Sequence, residues 1–221
     1  MLFLCRHRKD ENYEKIISFA LVIVLSCSVI SFPATANTIN TENENIAELI
    51  RFLSISEEGF LIFDELAAQK SGVSSERISY LNSRVEYMNS LVLDYGAYID
   101  DSFSAVIYLP SARANGECKV VTYIHGLTEV YMDSEVADEI LNYLSMVGNV
   151  ATASGVLARL ATFTKFKAVA GQLSDLATIV GGVALVYYWQ IELAAAPGRG
   201  IVMSILDDGT TATPTVGYSP Q

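Results

Sequence analysis

The side chains best suited to chemistry are one histidine and one cysteine beyond residue 36, His125 and Cys118. His125 lies in a β-rich stretch, without Cys, Asp or Glu at the spacing of a metal site or a catalytic pair. The many carboxylates of residues 37–102 follow helix-surface spacing, which favours a solvated face over an acid/base pair. We therefore expect these groups to be structural, and we predict no metal ligands and no catalytic residues.

Motifs that bind cofactors or build active sites are also absent from the sequence. It contains no His-Glu-x-x-His, no paired Cys motif, no Gly-x-Ser-x-Gly and no phosphate-binding loop. The segment Gly198-Arg199-Gly200 could hold an anion, but a turn between a helix and a strand accounts for it. The sequence therefore predicts no cofactor and favours a non-catalytic protein.

Cys118 has two interpretations. Cys5 and Cys27 fall within a segment that we expect to be removed, so Cys118 would have no partner within the chain. It is then either a small buried residue or the site of an intermolecular disulfide. Burial is favoured, because free cysteine commonly packs as a small hydrophobe.

The first 36 residues have the three zones of a secretory signal peptide. A basic start precedes the charge-free run 16–30, which is shorter than the about 20 apolar residues needed to cross a bilayer. Ala34 and Ala36 are the small residues that signal peptidase accepts, and we predict cleavage before Asn37. Two alternatives stay open, an uncleaved membrane anchor and a lipoprotein modified at Cys27. We therefore expect a protein that is secreted or retained at the cell surface.

The chain is acidic, with a formal net charge of −11 at pH 7. Residues 1–36 carry four Lys/Arg and three Asp/Glu, so their removal would change the charge to −12. Nucleic-acid binding depends on clustered Lys and Arg that neutralise phosphates. Nucleic acid is therefore excluded as an expected partner.

Residues 37–102 form an acidic region that we expect to be helical, and it is a candidate pro-region. Helical spacing of apolar residues predicts a helix over 41–54, followed by an extended piece at 60–63 and a short helix at 64–69. A longer amphipathic helix is predicted over 74–93, and we expect its apolar stripe to face a core. That stripe consists of Ile78, Leu81, Val85, Met88 and Leu91.

A small antiparallel sheet is predicted in the second half of the chain. β-Branched and aromatic residues predict strands at 105–109 and in two pieces of 119–132, which a bulge or turn at Gly126 divides. Further strands are predicted at 199–206 and 213–221. We expect 199–206 to pair with 119–132, because this pairing brings the two ends of the intervening segment together.

That intervening segment, residues 134–196, is a long apolar insertion. Its two charge-free runs, 140–158 and 176–191, predict a helical hairpin, with Ser134 as the cap of the first helix. Small residues in these runs favour close helix packing, and an aromatic cluster at the end of the second run is typical of contact with a membrane interface. These residues are Gly148, Ala151, Gly155, Ala177, Gly181, Tyr187, Tyr188 and Trp189.

The hairpin allows two interpretations. It is either buried as the core of a soluble protein or inserted into the lipid bilayer of a target cell. Neither run has the about 20 strongly apolar residues of a spanning helix. The insertion nevertheless contains more apolar helix than one small core requires, which favours membrane activity.

The order of these parts resembles a group of small secreted proteins of Gram-positive bacteria, some of them labelled bacteriocin-like. In them an acidic segment like residues 57–89 precedes a Cys-containing strand like 117–132. A small-residue helical hairpin then leads to a Gly-x-Gly-hydrophobic strand like 198–206 and a short tail ending in Gln. The resemblance spans about residues 45–221. It implies an antibacterial or membrane-perturbing role, with the acidic region as a shielding pro-region.

The predicted fold is α+β, with acidic N-terminal helices followed, in residues 103–221, by a small antiparallel sheet that carries the inserted hairpin before a C-terminal strand. The leading hypothesis is a secreted, bacteriocin-like protein that perturbs a target bilayer through the hairpin and that self-associates or binds an immunity partner. One alternative is a soluble cell-surface interaction protein with a buried hairpin. Another is an immunity protein retained in the membrane.

Overall fold

A computed structural model describes residues 48–111, 115–182, 184–207 and 214–221. Residues 48–221 form one compact unit. Its described part is an α+β fold with antiparallel sheets, which confirms the predicted fold class. The predicted signal peptide, with Ala34, Ala36 and Asn37, lies outside the described residues.

The elements alternate between short strands and helices along the chain. Up to residue 132 they are β1 (Leu53–Ile55), β2 (Leu61–Phe63), α1 (Glu65–Lys70), α2 (Ser75–Tyr95), β3 (Tyr98–Ile99), β4 (Ser104–Tyr108), β5 (Lys119–Tyr123) and β6 (Leu127–Met132). After it they are α3 (Ser134–Met146), β7 (Val150–Thr152), α4 (Ala153–Leu160), a 3-10 helix (Thr164–Val169), α5 (Ala170–Val180), β8 (Leu185–Tyr187), α6 (Tyr188–Ala195), β9 (Ile201–Leu206) and β10 (Thr215–Pro220).

The helix predicted over 41–54 is wrong in its described part. Residues 50–52 form a single 3-10 turn, and β1 follows as a strand. Leu53 pairs with Phe63 and Ile55 with Leu61 in an antiparallel hairpin. Apolar spacing alone did not predict this strand, because its hydrogen-bond partner lies several residues further along the chain.

The long helix predicted over 74–93 is confirmed as α2. The Ser74 hydroxyl caps it by accepting a hydrogen bond from the Arg77 N–H, and Gly96 ends it in the left-handed conformation at φ 66°. All five residues of the predicted stripe are buried, so the stripe faces the core as expected. The short helix at 64–69 is confirmed as α1, with Asp64 as its cap.

The central sheet has six antiparallel strands in the order β10-β9-β6-β5-β4-β3. The predicted pairing is confirmed, since β9 lies beside β6 with Met203 opposite Val130. Gly126 forms the predicted turn between β5 and β6 at φ 95°. The predicted boundary at residue 102 falls between β3 and β4, which pair with each other.

One face of this sheet carries the core. Val120, Val130 and Met203 lie side by side across three strands and are fully buried. Gln172 of α5 reaches the same face and donates a hydrogen bond to Thr122 Oγ1 at 3.3 Å. The insertion therefore folds back over the sheet from which it emerges.

The predicted hairpin of two long helices is wrong in its boundaries. The run 140–158 is divided into α3, β7 and α4, and the run 176–191 into α5, β8 and α6. Asn149 and Gly148 have positive φ values of 69° and 93°, and Gly181 has a φ of 62°. Because a residue with positive φ cannot continue a right-handed α-helix, each run leaves the helix at these residues and changes direction.

The cap predicted at Ser134 is one residue out of register. Asp133 is the N-cap of α3, and its Oδ1 accepts a hydrogen bond from the Val136 N–H at 3.0 Å. Ser134 is the first helical residue, and its hydroxyl instead accepts a hydrogen bond from the Asn115 N–H. Asp133 and Ser134 both have side chains that can cap a helix. Because β6 ends at Met132, the helix begins directly after Asp133, which is therefore the cap.

Candidate functional site

Strands β7 and β8 form a two-stranded ribbon that joins the two halves of the insertion. Val150 pairs with Tyr187, and Thr152 pairs with Leu185. Successive side chains of a strand point to opposite faces, so Val150, Leu185 and Tyr187 share one face. Val186 lies on the other face and is fully buried. The ribbon therefore has one side in the core and one apolar side outside it.

Two helices flank this outer side. Tyr187 stacks on Trp189 at the start of α6, with ring centroids 6.5 Å apart. Leu193 lies one turn further along α6, on the same helical face as Trp189. Met146 ends α3, four residues before Val150. The Tyr188 N–H donates to the Asn149 carbonyl at 2.9 Å, which fixes the start of α6 against the turn after α3.

We call the resulting patch the ribbon surface, and it consists of Met146, Val150, Leu185, Tyr187, Trp189 and Leu193. Met146 is 75% exposed, Leu193 69% and Trp189 60%. The largest apolar patch on a typical monomer covers about 300–600 Å² and is often functional. Scattered exposed hydrophobic residues need no explanation, whereas six on one ribbon and its flanking helices form a candidate contact surface.

The chain segments that build the ribbon surface contain no basic residue. Neither 136–158 nor 168–198 has a Lys or Arg, while Asp138, Glu139, Asp175 and Glu192 lie within them. Glu139 and Glu192 are exposed on α3 and α6. The ribbon surface is therefore apolar with acidic neighbours.

The structure separates the predicted small-residue positions. Gly148 lies in the turn after α3, Ala151 in β7 and Gly155 in the first turn of α4. Ala177 lies in α5, and Gly181 lies directly after that helix. A Cβ on Gly148 or Gly181 would meet no atom within 4 Å, so neither residue serves helix packing. Gly148 and Gly181 are therefore turn residues, whereas a Cβ on Gly155 would lie 3.5 Å from the Tyr143 hydroxyl of α3.

The three aromatic residues of the predicted site lie together at the junction of β8 and α6. Tyr187 and Trp189 are exposed on the ribbon surface, and Tyr188 between them is half-buried. The other members, Met146, Val150, Leu185 and Leu193, were not predicted. The alternation in Leu185-Val186-Tyr187 is a strand signal that could have indicated them, but it is too short to compete with the helical pattern around it.

Polar contacts of the insertion are concentrated where α3 follows β6. We call this group the root cluster, and it consists of Asp133, Lys165, Glu135, Ser111 and Cys118. Asp133 is fully buried, and its Oδ2 accepts hydrogen bonds from Lys165 Nζ at 2.8 Å and Ser111 Oγ at 3.0 Å. Lys165 also bonds Glu135 Oε2 at 2.7 Å. The Asp133 N–H donates to Cys118 Sγ at 3.5 Å. The cluster ties the start of α3 to the 3-10 helix between α4 and α5.

The ionisation of the root cluster fits a structural ion pair. Burial alone would raise the pKa of Asp133, but hydrogen bonds from Lys165 and the Val136 N–H hold it below its usual value. Burial would lower the pKa of Lys165, and the hydrogen bonds to Asp133 and Glu135 raise it instead. Both groups therefore remain charged at neutral pH.

Cys118 and His125 do not form a reactive pair. Cys118 is buried, as predicted, and burial raises the pKa of its thiol to about 12. Burial, together with the nearby Arg84 guanidinium, lowers the pKa of His125. His125 packs beside the Tyr123 ring at 5.4 Å. The thiolate that nucleophilic chemistry requires is therefore absent at neutral pH.

A second polar cluster lies on the face of the sheet opposite Val120 and Val130. The hydroxyls of Tyr123 and Tyr131 both donate to Glu129 Oε2, at 3.0 and 2.8 Å. Lys119 lies over the Tyr131 ring at 4.5 Å. Burial and the Glu129 carboxylate raise the pKa of Tyr123 to about 12, so both hydroxyls stay protonated. These contacts link neighbouring strands.

Metal binding requires clustered ligand side chains, and crossing a membrane requires a long apolar helix. In the part of the chain that the structure describes, no group of three or more His, Cys, Asp or Glu side chains could hold a metal ion. Among the same described residues, the helices are too short or too polar to cross a membrane.

Comparison with known proteins gives no relative. No family model matches the chain, and neither a curated protein nor a solved structure is similar to it.

Proposed function

We propose that the protein is a non-catalytic binding protein that acts outside the cell and that the ribbon surface is its contact surface. The observation that supports this most is the exposure of six apolar side chains, including a stacked Tyr and Trp, on one ribbon and the two helices that flank it. Tyr, Trp and Met are the side chains enriched at the centres of protein interfaces.

The packing of the insertion favours binding over insertion into a bilayer. The inner faces of α4 and α5 are buried, with Leu157, Leu160 and Leu173 fully inaccessible. Moving these helices into lipid would first break that core, whereas docking through the ribbon surface leaves it intact. The predicted role as an interaction protein therefore requires less rearrangement than membrane perturbation.

The single tryptophan provides a direct test. Trp189 is the only tryptophan in the chain, so its fluorescence reports on the ribbon surface alone. The full chain is titrated with a helical peptide that has a leucine face and an uncharged polar face. We expect a blue shift of the Trp189 emission as the peptide excludes water from the ring. An unchanged emission at saturating peptide would disprove the proposed contact surface.

A matched pair of leucines makes the test specific. Leu193 is 69% exposed on the ribbon surface, and Leu93 is 72% exposed on α2. We expect Leu193→Ser to weaken peptide binding about tenfold, because a buried leucine side chain contributes about 1.5–3 kcal/mol. Leu93→Ser should bind like the unaltered protein, and equal losses in both variants would place the contact elsewhere.

Membrane attachment remains a second candidate because Tyr and Trp side chains favour the bilayer interface. The exposed Tyr187–Trp189 pair is the observation that supports it. This candidate predicts a blue shift of Trp189 and release of entrapped dye when the full chain meets phosphatidylcholine vesicles. A shift with the peptide and no effect of the vesicles would eliminate it.

A further inference from the structure

The acidic neighbours of the ribbon surface limit what can dock there. Glu192 lies three residues after Trp189, which places it beside that ring on the surface of α6. Glu139 lies two turns before Met146 on α3. Both glutamates are exposed. Any molecule that covers Trp189 and Met146 therefore approaches two carboxylates.

The basic residues nearest in sequence are Arg159, Lys165, Lys167 and Arg199, and all four lie outside the segments 136–158 and 168–198 that build the ribbon surface. Lys165 is held by Asp133 and Glu135 in the root cluster. The Arg159 guanidinium lies over the Phe163 ring at 4.9 Å, and its Nη1 donates to Thr162. Within its own segments the ribbon surface thus has an apolar centre bordered by the carboxylates of Glu139 and Glu192, with no basic side chain beside them.

From this charge pattern we infer that the ribbon surface binds a protein segment with an apolar face flanked by Lys or Arg. The inference rests on the proposed function and names the partner of that same surface. Basic flanks would meet Glu139 and Glu192 while the apolar face covers Trp189, and complementary charges of this kind speed association and reject wrong partners.

The same charges argue against the other occupants. A second copy of the chain would bring its own acidic margin against this one, which repels it. An anionic bilayer would be repelled by the net charge of −11 in the same way. A protein segment with an apolar face and basic flanks can cover the apolar centre of the ribbon surface and also pair with the carboxylates at its margin.

Three peptides with one leucine face test the inference through Trp189 emission. Their polar faces carry lysine, glutamate or an uncharged residue. We expect the lysine peptide to bind at least about tenfold tighter than the glutamate peptide at low ionic strength. Because the effect is electrostatic at an exposed margin, added salt should narrow the difference.

Charge variants identify the carboxylates responsible. Glu139→Gln together with Glu192→Gln should remove most of the preference for the lysine peptide and leave binding of the uncharged peptide unchanged. The control pair is Glu76→Gln with Glu86→Gln, two exposed glutamates of α2. This control should keep the full preference.

The outcomes separate this inference from the proposed function. Equal binding of all three peptides would overturn the inference and leave the ribbon surface as a contact surface. Binding of none would overturn both. A blue shift with anionic vesicles but not with the lysine peptide would overturn the inference in favour of lipid. A concentration-dependent dimer in sedimentation, abolished by Leu193→Ser, would overturn it in favour of a second copy.

Discussion

The two ends of the insertion differ in the kind of side chain that they hold. At the root cluster, buried polar groups are hydrogen-bonded and the charges of Asp133 and Lys165 are paired. At the ribbon surface, apolar side chains face solvent, and Trp189 and Leu193 are mostly exposed. The first arrangement stabilises the fold, because its partners lie within the chain. The second leaves apolar area uncovered, which is the condition for binding another molecule.

This difference predicts that stability and binding can be changed separately. Substitutions at the root cluster should lower the free energy of unfolding, while substitutions on the ribbon surface should change binding with little effect on folding. Five predictions test that separation, in order of decreasing effect.

The largest expected effect is that of Gly200→Ala beside the root cluster. Gly200 has φ 98°, and a Cβ there would overlap the Met132 carbonyl oxygen and lie 2.9 Å from Asp133 Cα. We expect a loss of about 3 kcal/mol or more in the free energy of unfolding, since backbone strain and overpacking add. Urea denaturation measures it. The control is Gly182→Ala near the ribbon, where a Cβ meets nothing within 4 Å, and a similar loss in both would remove the distinction.

Asp133→Ala should cost about 3 kcal/mol, because it removes a helix cap and one partner of a buried ion pair. Asp133→Asn should cost less, since the amide oxygen can still accept the Val136 N–H. Thermal and urea unfolding of both variants measure the difference. Ser134→Ala serves as the control, because the exposed Ser134 hydroxyl bonds only the Asn115 N–H among the described contacts. A larger loss for Ser134→Ala would restore Ser134 as the cap.

The contribution of the root cluster should vary with pH in a defined direction. The pKa of Asp133 is lowered on folding, so its stabilisation is present above about 3.9, the unfolded value, and is lost as pH falls through the folded value. The gap in stability between the unaltered protein and Asp133→Asn should therefore be constant near neutral pH and shrink in acid. A gap that grows in acid would mean that the ion pair does not stabilise the fold.

The ionisation of Lys165 sets the upper end of the pH range in which the Asp133–Lys165 ion pair stabilises the fold. Its pKa is raised on folding, so its stabilisation is complete below about 10.4 and is lost as pH rises through the folded value. Lys165→Met should therefore keep its deficit in stability against the unaltered protein from neutral to moderately alkaline pH and lose that deficit in strong alkali.

The smallest expected effect on stability is that of Leu193→Ser. The side chain is mostly exposed, so the free energy of unfolding should change by no more than about 0.5 kcal/mol. Peptide binding by the same protein should fall about tenfold. A loss of stability comparable to that of Asp133→Ala would show that Leu193 belongs to the core and would break the comparison between the two ends.

Five of the six strands of the central sheet could be predicted because their signals are local, whereas the two-residue strand β3 was too short to give one. Alternating β-branched residues in Lys119–Tyr123 and Leu127–Met132, divided by Gly126, specify two paired strands without reference to the rest of the chain. The stripe of α2 was equally clear, because Ile78, Leu81 and Val85 recur at helical spacing over several turns.

The ribbon could not be predicted in the same way. Val150 and Leu185 stand in long apolar runs in which helix and strand patterns overlap, and each strand has only three residues. Gly148 and Gly181 fit the pattern of helix-packing residues, although glycine serves equally well as a positive-φ residue that ends a helix. Whether these short segments form strands or continue as helices depends on whether a partner strand lies beside them in the folded chain.

The sequence by itself therefore determined the α+β class, the long helix α2 and the positions of most of the central strands. Periodicity and turn residues act within a few positions of one another, which is why they suffice for these features. Only the tertiary structure decided that Asp133 and Lys165 meet and that Val150 pairs with Tyr187. Both pairs join residues more than 30 positions apart. Packing against the sheet brings them together, and no local preference specifies that contact.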